Sequence, residues 1–530
     1  MERPRADLDR STWMGRRTGL AIVSLLILGG VALRTYLLWK FSDLWFCSDE
    51  ANLGLMVLRL IQRGEFHLFI THESYGGCLG VLTATLFTLL TGSQFIAMKL
   101  TALLYYVLFA IGLYLLGRAL FDRLTAAIAV FLVSLAAPSF LCILGTRERG
   151  PHGEALAISV FALWLAVVAT RSPRRRLLYF LWGILAGFGW YTYYATVLTV
   201  LPTGLFILIQ EFRSSPAHGR AIPHLWRTLW PVVPGALLGS LPYWVFVVST
   251  RTLPPFSLHA QYPGPLVGIR NFLILALPVL TGGHWAFLPE DILPFFSKFT
   301  VYAYALSIAV FLYMGLRNRF RSPAFLAVGL QLVLCPLLFS FSSFSWFATE
   351  PRYLAGLYCS LPLVLAWAAM RLLRYSKVLA AALPLTVGMA AMVGAMETPA
   401  IVFNTIFDEP TAPLIRFLEE HDLDHFYANY WITYRVMFES TPDPYTPPPL
   451  VGATYFKVVL NRYPDYTREV ANDPHPAYIT WAEETGNFAE QLAREHRTCR
   501  RQDIGRFTVF YSIEPPIPHE PDAQGSTSDG

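Results

Sequence analysis

Two adjacent carboxylates, Asp49 and Glu50 in the string FCSDEANLGLM, have a type and spacing that can do chemistry. They stand where an amphipathic run begins, and the ordinary use of such residues is capping. Ser48 or Asp49 can accept from the exposed N–H groups of a helix start, and acids there complement the helix dipole. A catalytic use is compatible with that one, with one carboxylate acting as general base on a bound hydroxyl. Further along, LFITHESYGGCLG sets His72, Glu73 and Tyr75 just before Gly76 and Gly77. A glycine pair permits a tight turn or close backbone approach to a ligand, and an ordinary loop has the same composition. The string TRERGPHGE is denser still, with Arg147, Glu148, Arg149, His152 and Glu154. Arginines in such a string suit a phosphate, which they bind through charge-assisted paired hydrogen bonds, and a carboxylate suits a sugar or acceptor hydroxyl; mutual salt bridging is the plainer alternative. Arg34, and Arg352 in ATEPRYLAG, each stand near the end of an apolar run. Such residues either snorkel to headgroups or join a clamp on a lipid phosphate.

The elements that must hold these residues are membrane helices. The chain has 530 residues, of which 54% are hydrophobic and 15% charged, whereas roughly a quarter of residues are charged in soluble proteins. Apolar stretches of about 20 residues recur from Leu20 to Met396, and each of that length can span a bilayer. Short basic clusters separate them and set direction by the positive-inside rule. Arg3, Arg5, Arg10, Arg16 and Arg17 hold the N-terminus in the cytoplasm, and Arg118, Arg123, Arg171 and Arg174 to Arg176 suit the same side. The count is about eleven spans. It makes 39–95, 145–154 and 249–298 outer loops of a membrane domain 1–397, in an all-α polytopic fold. The apolar segment from Cys78 to Gly92 is short for a span and is read as an interfacial or re-entrant helix.

From Glu397 the composition turns charged, aromatic and proline-rich. Residues 398–515 are predicted to form a small extracytoplasmic α/β domain. Its strands are expected at HFYANY, YFKVVL, AYITW and RFTVFYSI, and its helices at Leu414 to Glu420 and Ala482 to Glu495. Residues 516–530 read as a disordered end. The net charge of +5 is dispersed in topology signals, so a nucleic-acid partner is excluded. The six cysteines lack metal-ligand spacing; Cys47 and Cys78 fall in one outer loop, which leaves open whether they pair. The first apolar run follows Arg16 and Arg17 without an A-x-A site and reads as a retained helix. No nucleotide-binding, nucleophile-elbow or zinc-protease motif stands in a supporting context.

The order SDEA, RGEFHLF, a Tyr-Gly-Gly turn, an outer RGxxGE string and a late RYL resembles the bacterial GT-C glycosyltransferases of the dolichyl-phosphate-mannose protein mannosyltransferase (family 39) and aminoarabinose-transferase type. The C-terminal YANYWITYRVMFES and NRYPDY resemble an uncharacterised bacterial branch of that group. The resemblance implies an inverting transfer of a sugar from a polyprenyl-phosphate (undecaprenyl-phosphate type) carrier to a glycan, lipid or protein hydroxyl, on the outer face of the bacterial inner membrane. It makes Asp49 the base and Glu50 its neighbour, which orients the acceptor or shares the role. Glu154 fills the RGxxGE position with Glu148 as the alternative and His152 beside them; this departs from the SREA form of some relatives. Arg352 and Tyr353 match the late RY motif near the carrier phosphate, with Arg34, Arg147 and Arg149 as further phosphate contacts, and His72, Glu73 and Tyr75 as an acceptor or donor loop. Such a transfer needs a base, a cationic hold on the leaving phosphate and geometry; it requires no cofactor and no metal, and a divalent ion is compatible with it. Two other readings stand beside it. One is a transporter or flippase of a lipid-linked sugar, which would show internal repeats and midplane charges. The other is a non-catalytic membrane sensor.

Overall fold

The computed structural model describes residues 15–40, 46–71, 76–215, 221–252, 264–283, 294–349, 351–402, 409–454 and 461–518. Among them, eight helices are long and apolar enough to cross a membrane: Arg17–Lys40, Gln94–Leu120, His152–Ala169, Tyr194–Arg213, Ser297–Arg317, Pro323–Ser340, Arg352–Leu372 and Lys377–Gly394. A pair bent by 52°, Ala221–Gly239 and Leu241–Thr250, makes a ninth if it is one span. The expected count of about eleven adds two elements that do not qualify as spans, the first by composition and the second by length. One is Arg175–Thr192, which opens on two arginines. The other is the pair Arg123–Ser134 and Ser139–Leu144, interrupted just before Pro138, which has no N–H to continue a helical ladder. Leu79–Thr91 is an apolar helix of 13 residues. The segment expected as a loop at 249–298 holds an apolar helix, Pro265–Thr281, with a π turn at Phe272–Ala276.

The chain divides into two compact units. The first is Met1–Lys40, Tyr75–Leu79 and Ala102–Val402. Its core gathers apolar side chains such as Phe109, Leu163, Phe206, Phe311 and Val364, all at most 1% exposed. Two helices in it approach closely through facing glycine pairs, Gly183 and Gly187 on one and Gly235 and Gly239 on the other, where an added Cβ would run into the opposite backbone. Small residues four apart let helices pack this way in lipid, where no hydrophobic force draws them together.

The second unit is Phe41–Ser74, Gly80–Thr101 and Phe403–Gly530. Its sheet has the order β2-β1-β3-β5-β4, with β1 His425–Ala428, β2 Val451–Thr454, β3 Ala477–Trp481, β4 Thr498–Ile504 and β5 Phe507–Glu514. β1 pairs parallel with β2 and β3, and β5 pairs antiparallel with β3 and β4. Helices Ala412–Glu420, Tyr430–Ser440, Pro464–Ala471 and Thr485–Arg494 alternate with the strands. The strand expected at YFKVVL lies outside the described residues. The strand expected at HFYANY ends at Ala428, and a helix, Tyr430–Ser440, follows it although its aromatic content favours a strand by propensity. Asn429 overrides that preference by capping it, its side chain accepting from the N–H groups of Trp431 and Ile432.

The first-loop helix Ser48–Arg63 belongs to this same unit. Its cap is Cys47, with no side-chain cap hydrogen bond, and Gly64 ends it in the left-handed region at φ 69°. The cap position thus falls before the Ser48 or Asp49 expected there. Asp49 and Glu50 lie inside the first turn, where acids are favoured by the dipole and their side chains remain available for other partners. Among the described residues no cysteine forms a disulfide, Cys47 and Cys78 included.

Candidate active site

In the second unit the two first-loop acids have different surroundings. Glu50 is fully buried and accepts from the ammonium of Lys99 at 2.7 Å, while that ammonium also sits 4.1 Å from the centre of the Phe46 ring. Asp49 points elsewhere: it is half-buried, and its Oδ1 accepts from the Tyr430 hydroxyl at 2.8 Å. Of the two carboxylates Asp49 is the more exposed, and Glu50 is held in a buried ion pair.

The helix carrying both acids is clasped by residues of the C-terminal segment. Gly54 lies against the Phe438 ring, so closely that a Cβ there would fall inside it. The Tyr463 hydroxyl donates to the carbonyl of Asn52 at 3.0 Å. Arg59 gives both terminal nitrogens to Asp465, at 3.1 and 2.8 Å, and its Nε to Glu65 at 2.6 Å. Burial works against ionisation of Asp465, but the hydrogen bonds from Arg59 outweigh it and hold the carboxyl below its usual range. The same guanidinium, chiefly by hydrogen bonding, lowers Glu65. Arg462 donates to the carbonyl of Thr71 at 3.2 Å and lies over the Tyr430 ring. His72, Glu73 and Tyr75 lie outside the described residues.

In the first unit the polar string 146–154 folds as a turn followed by the start of the helix His152–Ala169. Arg147, Glu148, His152 and Glu154 are all buried, whereas Arg149 and Arg352 are half-buried. Arg149 and Arg352 both bear electrostatically on His152, which gathers the second-loop string and the late RY motif in one place. His152 packs edge-on to Tyr193 at 4.8 Å, Tyr193 stacks on Tyr353 at 6.0 Å, and Tyr353 on Phe344 at 4.2 Å. Arg352 lies over Phe347 and Tyr353, at 4.8 and 5.5 Å from their ring centres. The glycine turn joins this cluster through the WYTYY segment. Gly76 bridges to Tyr193, the Gly77 N–H donates to the carbonyl of Thr192 at 2.9 Å, and the Cys78 N–H donates to the Tyr191 hydroxyl. Burial pushes the Cys78 thiol up, and the nearby charge of Glu154 adds to it.

Arg34 differs from the half-buried cations in its burial. It is 0% exposed, its guanidinium donates to the carbonyls of Gly30, Ser134 and Val133, and it lies 3.7 Å from the centre of the Tyr106 ring. Val133 and Ser134 are the last residues of the interrupted helix Arg123–Ser134, whose terminal carbonyls need donors. Arg34 is placed as a staple for that break. Lys99, Tyr430, Arg462 and the Arg59–Asp465 pair are not among the candidate residues of the sequence; Tyr430, Arg462 and Asp465 fall in YANYWITYRVMFES and NRYPDY, which carry only the resemblance. Among the described residues no three or more His, Cys, Asp or Glu side chains gather as metal ligands.

Comparison with solved structures finds the same fold in two proteins. ArnT from Cupriavidus metallidurans bound to undecaprenyl phosphate is similar over 94% of this chain and 99% of that one, at 14% identity and a TM-score of 0.59. The archaeal oligosaccharyltransferase AglB from Archaeoglobus fulgidus, in complex with an inhibitory peptide and a dolichol-phosphate, is similar over 95% of this chain and 76% of that one, at 14% identity and a TM-score of 0.52. Residues 78–233 match the dolichyl-phosphate-mannose-protein mannosyltransferase family. No curated protein matches the chain. The chain is an integral membrane protein with the GT-C glycosyltransferase fold, which is the resemblance its motifs carry.

Proposed function

We propose that this protein is a membrane glycosyltransferase that moves a sugar from a polyprenyl-phosphate carrier to an acceptor hydroxyl on the extracytoplasmic face. The observation that carries the reading is a reachable carboxylate, Asp49, in a chain whose fold is shared with a structure holding undecaprenyl phosphate. In this reading the acceptor oxygen attacks the anomeric carbon from the face opposite the phosphate, with inversion. Its proton passes to Asp49. The bond from the anomeric carbon to the phosphate oxygen breaks, and the polyprenyl phosphate leaves with the electron pair.

Arg149 and Arg352, the half-buried arginines of the first unit, suit a phosphate group, since guanidinium groups match phosphate oxygens two at a time and stabilise the charge that develops on them. Arg147, Glu148, His152 and Glu154 support them as a buried polar cluster, and the Arg352 guanidinium lies over the Tyr353 ring. Glu50 acts through Lys99 in shaping the Asp49 helix. Arg34 steadies the interrupted helix Arg123–Ser134 through its last carbonyls. The chemistry asks for no metal, although it is compatible with one.

The test is transfer from a labelled polyprenyl-phosphate sugar in membranes containing the full chain. Asp49→Asn is expected to reduce turnover by about 10²-fold or more, the contribution typical of a positioned base, with unchanged expression. Wild-type turnover in that variant removes Asp49 as the base. A wild-type protein that moves the lipid-linked sugar across a vesicle without transferring it would establish the transporter reading instead.

A further inference from the structure

We propose that Tyr430 is a positioning residue for the Asp49 carboxylate, which makes the C-terminal α/β segment a working part of the transfer centre. The inference rests on reading Asp49 as the base, and it assigns to a distant part of the chain the job of aiming it.

The contact is a single hydrogen bond, Tyr430 hydroxyl to Asp49 Oδ1 at 2.8 Å, between residues 381 positions apart. Three observations show that it is built rather than incidental. First, the phenol cannot readily turn away. Tyr430 is 6% exposed, its ring meets Trp431 and Tyr434 edge-on at 5.1 and 5.3 Å, and the Arg462 guanidinium lies 5.7 Å from its centre. Second, the backbone that carries it is fixed, because Tyr430 is the first residue of a helix whose cap, Asn429, accepts from two N–H groups. Third, the helix bearing Asp49 is held against the same segment at further points. The Phe438 ring fills the space over Gly54, Tyr463 bonds to the Asn52 carbonyl, and Arg59 is locked to Asp465. Both ends of the hydrogen bond are thus anchored independently of it.

The position of Tyr430 in the sheet adds to this. It follows the carboxyl end of β1, and β1 lies between β2 and β3 with parallel pairing on both sides. In open α/β sheets the crevice outside the carboxyl ends of strands, at the point where strand order reverses, is where groups are presented to ligands. Here that point presents a phenol to the proposed base. A donor fixed on one carboxylate oxygen sets the rotation of the whole group, and proton abstraction depends on such geometry: a displacement of about 1 Å can cost 10²-fold in rate.

The experiment uses the full-length protein in membranes, with transfer from the labelled polyprenyl-phosphate sugar measured at varied donor concentration. Tyr430→Phe removes the donor and keeps the ring. It is expected to lower kcat by about 10- to 100-fold with the donor KM changed less than about twofold and the thermal midpoint of the second unit unchanged within a few degrees. In an Asp49→Glu background, whose longer carboxylate no longer meets the phenol in the same geometry, Tyr430→Phe is expected to change kcat by less than about twofold. Wild-type kcat in Tyr430→Phe overturns the proposal, as does an equal loss in both backgrounds, or a loss accompanied by unfolding of the unit. The two readings fail separately: full activity in Asp49→Asn defeats the assignment of the base, whereas an inactive Asp49→Asn with a fully active Tyr430→Phe defeats only the positioning role.

Discussion

The Glu50–Lys99 pair gives a prediction whose size can be worked from the structure. Both side chains are out of water, at 0% and 7% exposure, with Nζ and Oε1 2.7 Å apart. At an effective dielectric of about 20 the attraction at that distance is about 6 kcal/mol, and the desolvation of two charges offsets most of it. The pair therefore adds little net stability, while either charge left alone is costly. Lys99→Met should destabilise the unit by about 3–5 kcal/mol, the cost of an uncompensated buried charge. Loss of the ammonium over the Phe46 ring contributes to the same direction. Replacing both residues, Glu50→Met with Lys99→Met, should return stability to within about 1–2 kcal/mol of wild type, since an apolar pair of similar volume has no charge to bury. Hydrogen exchange of the amides in Ser48–Arg63 reads this directly. Amides that exchange through opening of the unit should speed up by about 10²- to 10³-fold in the single variant, from about 1.4 kcal/mol per tenfold, and slow again in the double one. Exchange in the double variant as fast as the sum of both single effects would refute the reasoning, because it would mean that the two groups contribute independently and are not a compensated pair.

Two further predictions concern how the C-terminal segment grips the Asp49 helix. Asp465 and Glu65 are both held below their usual range beside Arg59, so their contribution to stability is fully present above the unfolded values of about 3.9 and 4.3 and is lost as pH falls through the lower folded ones. The thermal midpoint of the second unit should hold between pH 7 and 5 and fall below about pH 4, and the fall should be shallower in Asp465→Asn, which starts from a lower plateau. Gly54→Ala should destabilise although Ala is the better helix former by about 1 kcal/mol, because the new methyl meets the Phe438 ring; overpacking of that kind costs about 1–3 kcal/mol. A stabilised Gly54→Ala, measured by the same thermal scan, would show that the ring can move aside.

How much of this was legible beforehand depends on the range of the signal. The apolar runs were readable because a span is a local property of about 20 residues, and most expected spans coincide with helices. Asp49 and Glu50 were readable as a pair because adjacent acids at a helix start are a local pattern too. Their division of labour was not, since it depends on which side of the helix meets Lys99 and which meets Tyr430, and neither partner is near in sequence. Arg34 shows the same limit from the other side. A lone arginine near the end of an apolar run suggested a phosphate contact, yet its two terminal nitrogens also donate to carbonyls about 100 residues away, at a break that only Pro138 foreshadows.

Tyr430 is the instructive case, because part of its signal was present. HFYA followed by Asn is a strand running into a helix cap, and the residue after such a cap stands at the carboxyl end of a strand. What the sequence withholds is the strand order. Only when β2 and β3 are found on opposite sides of β1 does that strand end become the reversal point of the sheet, and the first helical residue beyond it a natural place for a functional group. Strand order is fixed by long-range pairing, so a site completed at a strand reversal is hidden from any local reading. The acid was visible in the first loop, and the phenol proposed to aim it had to wait for the fold.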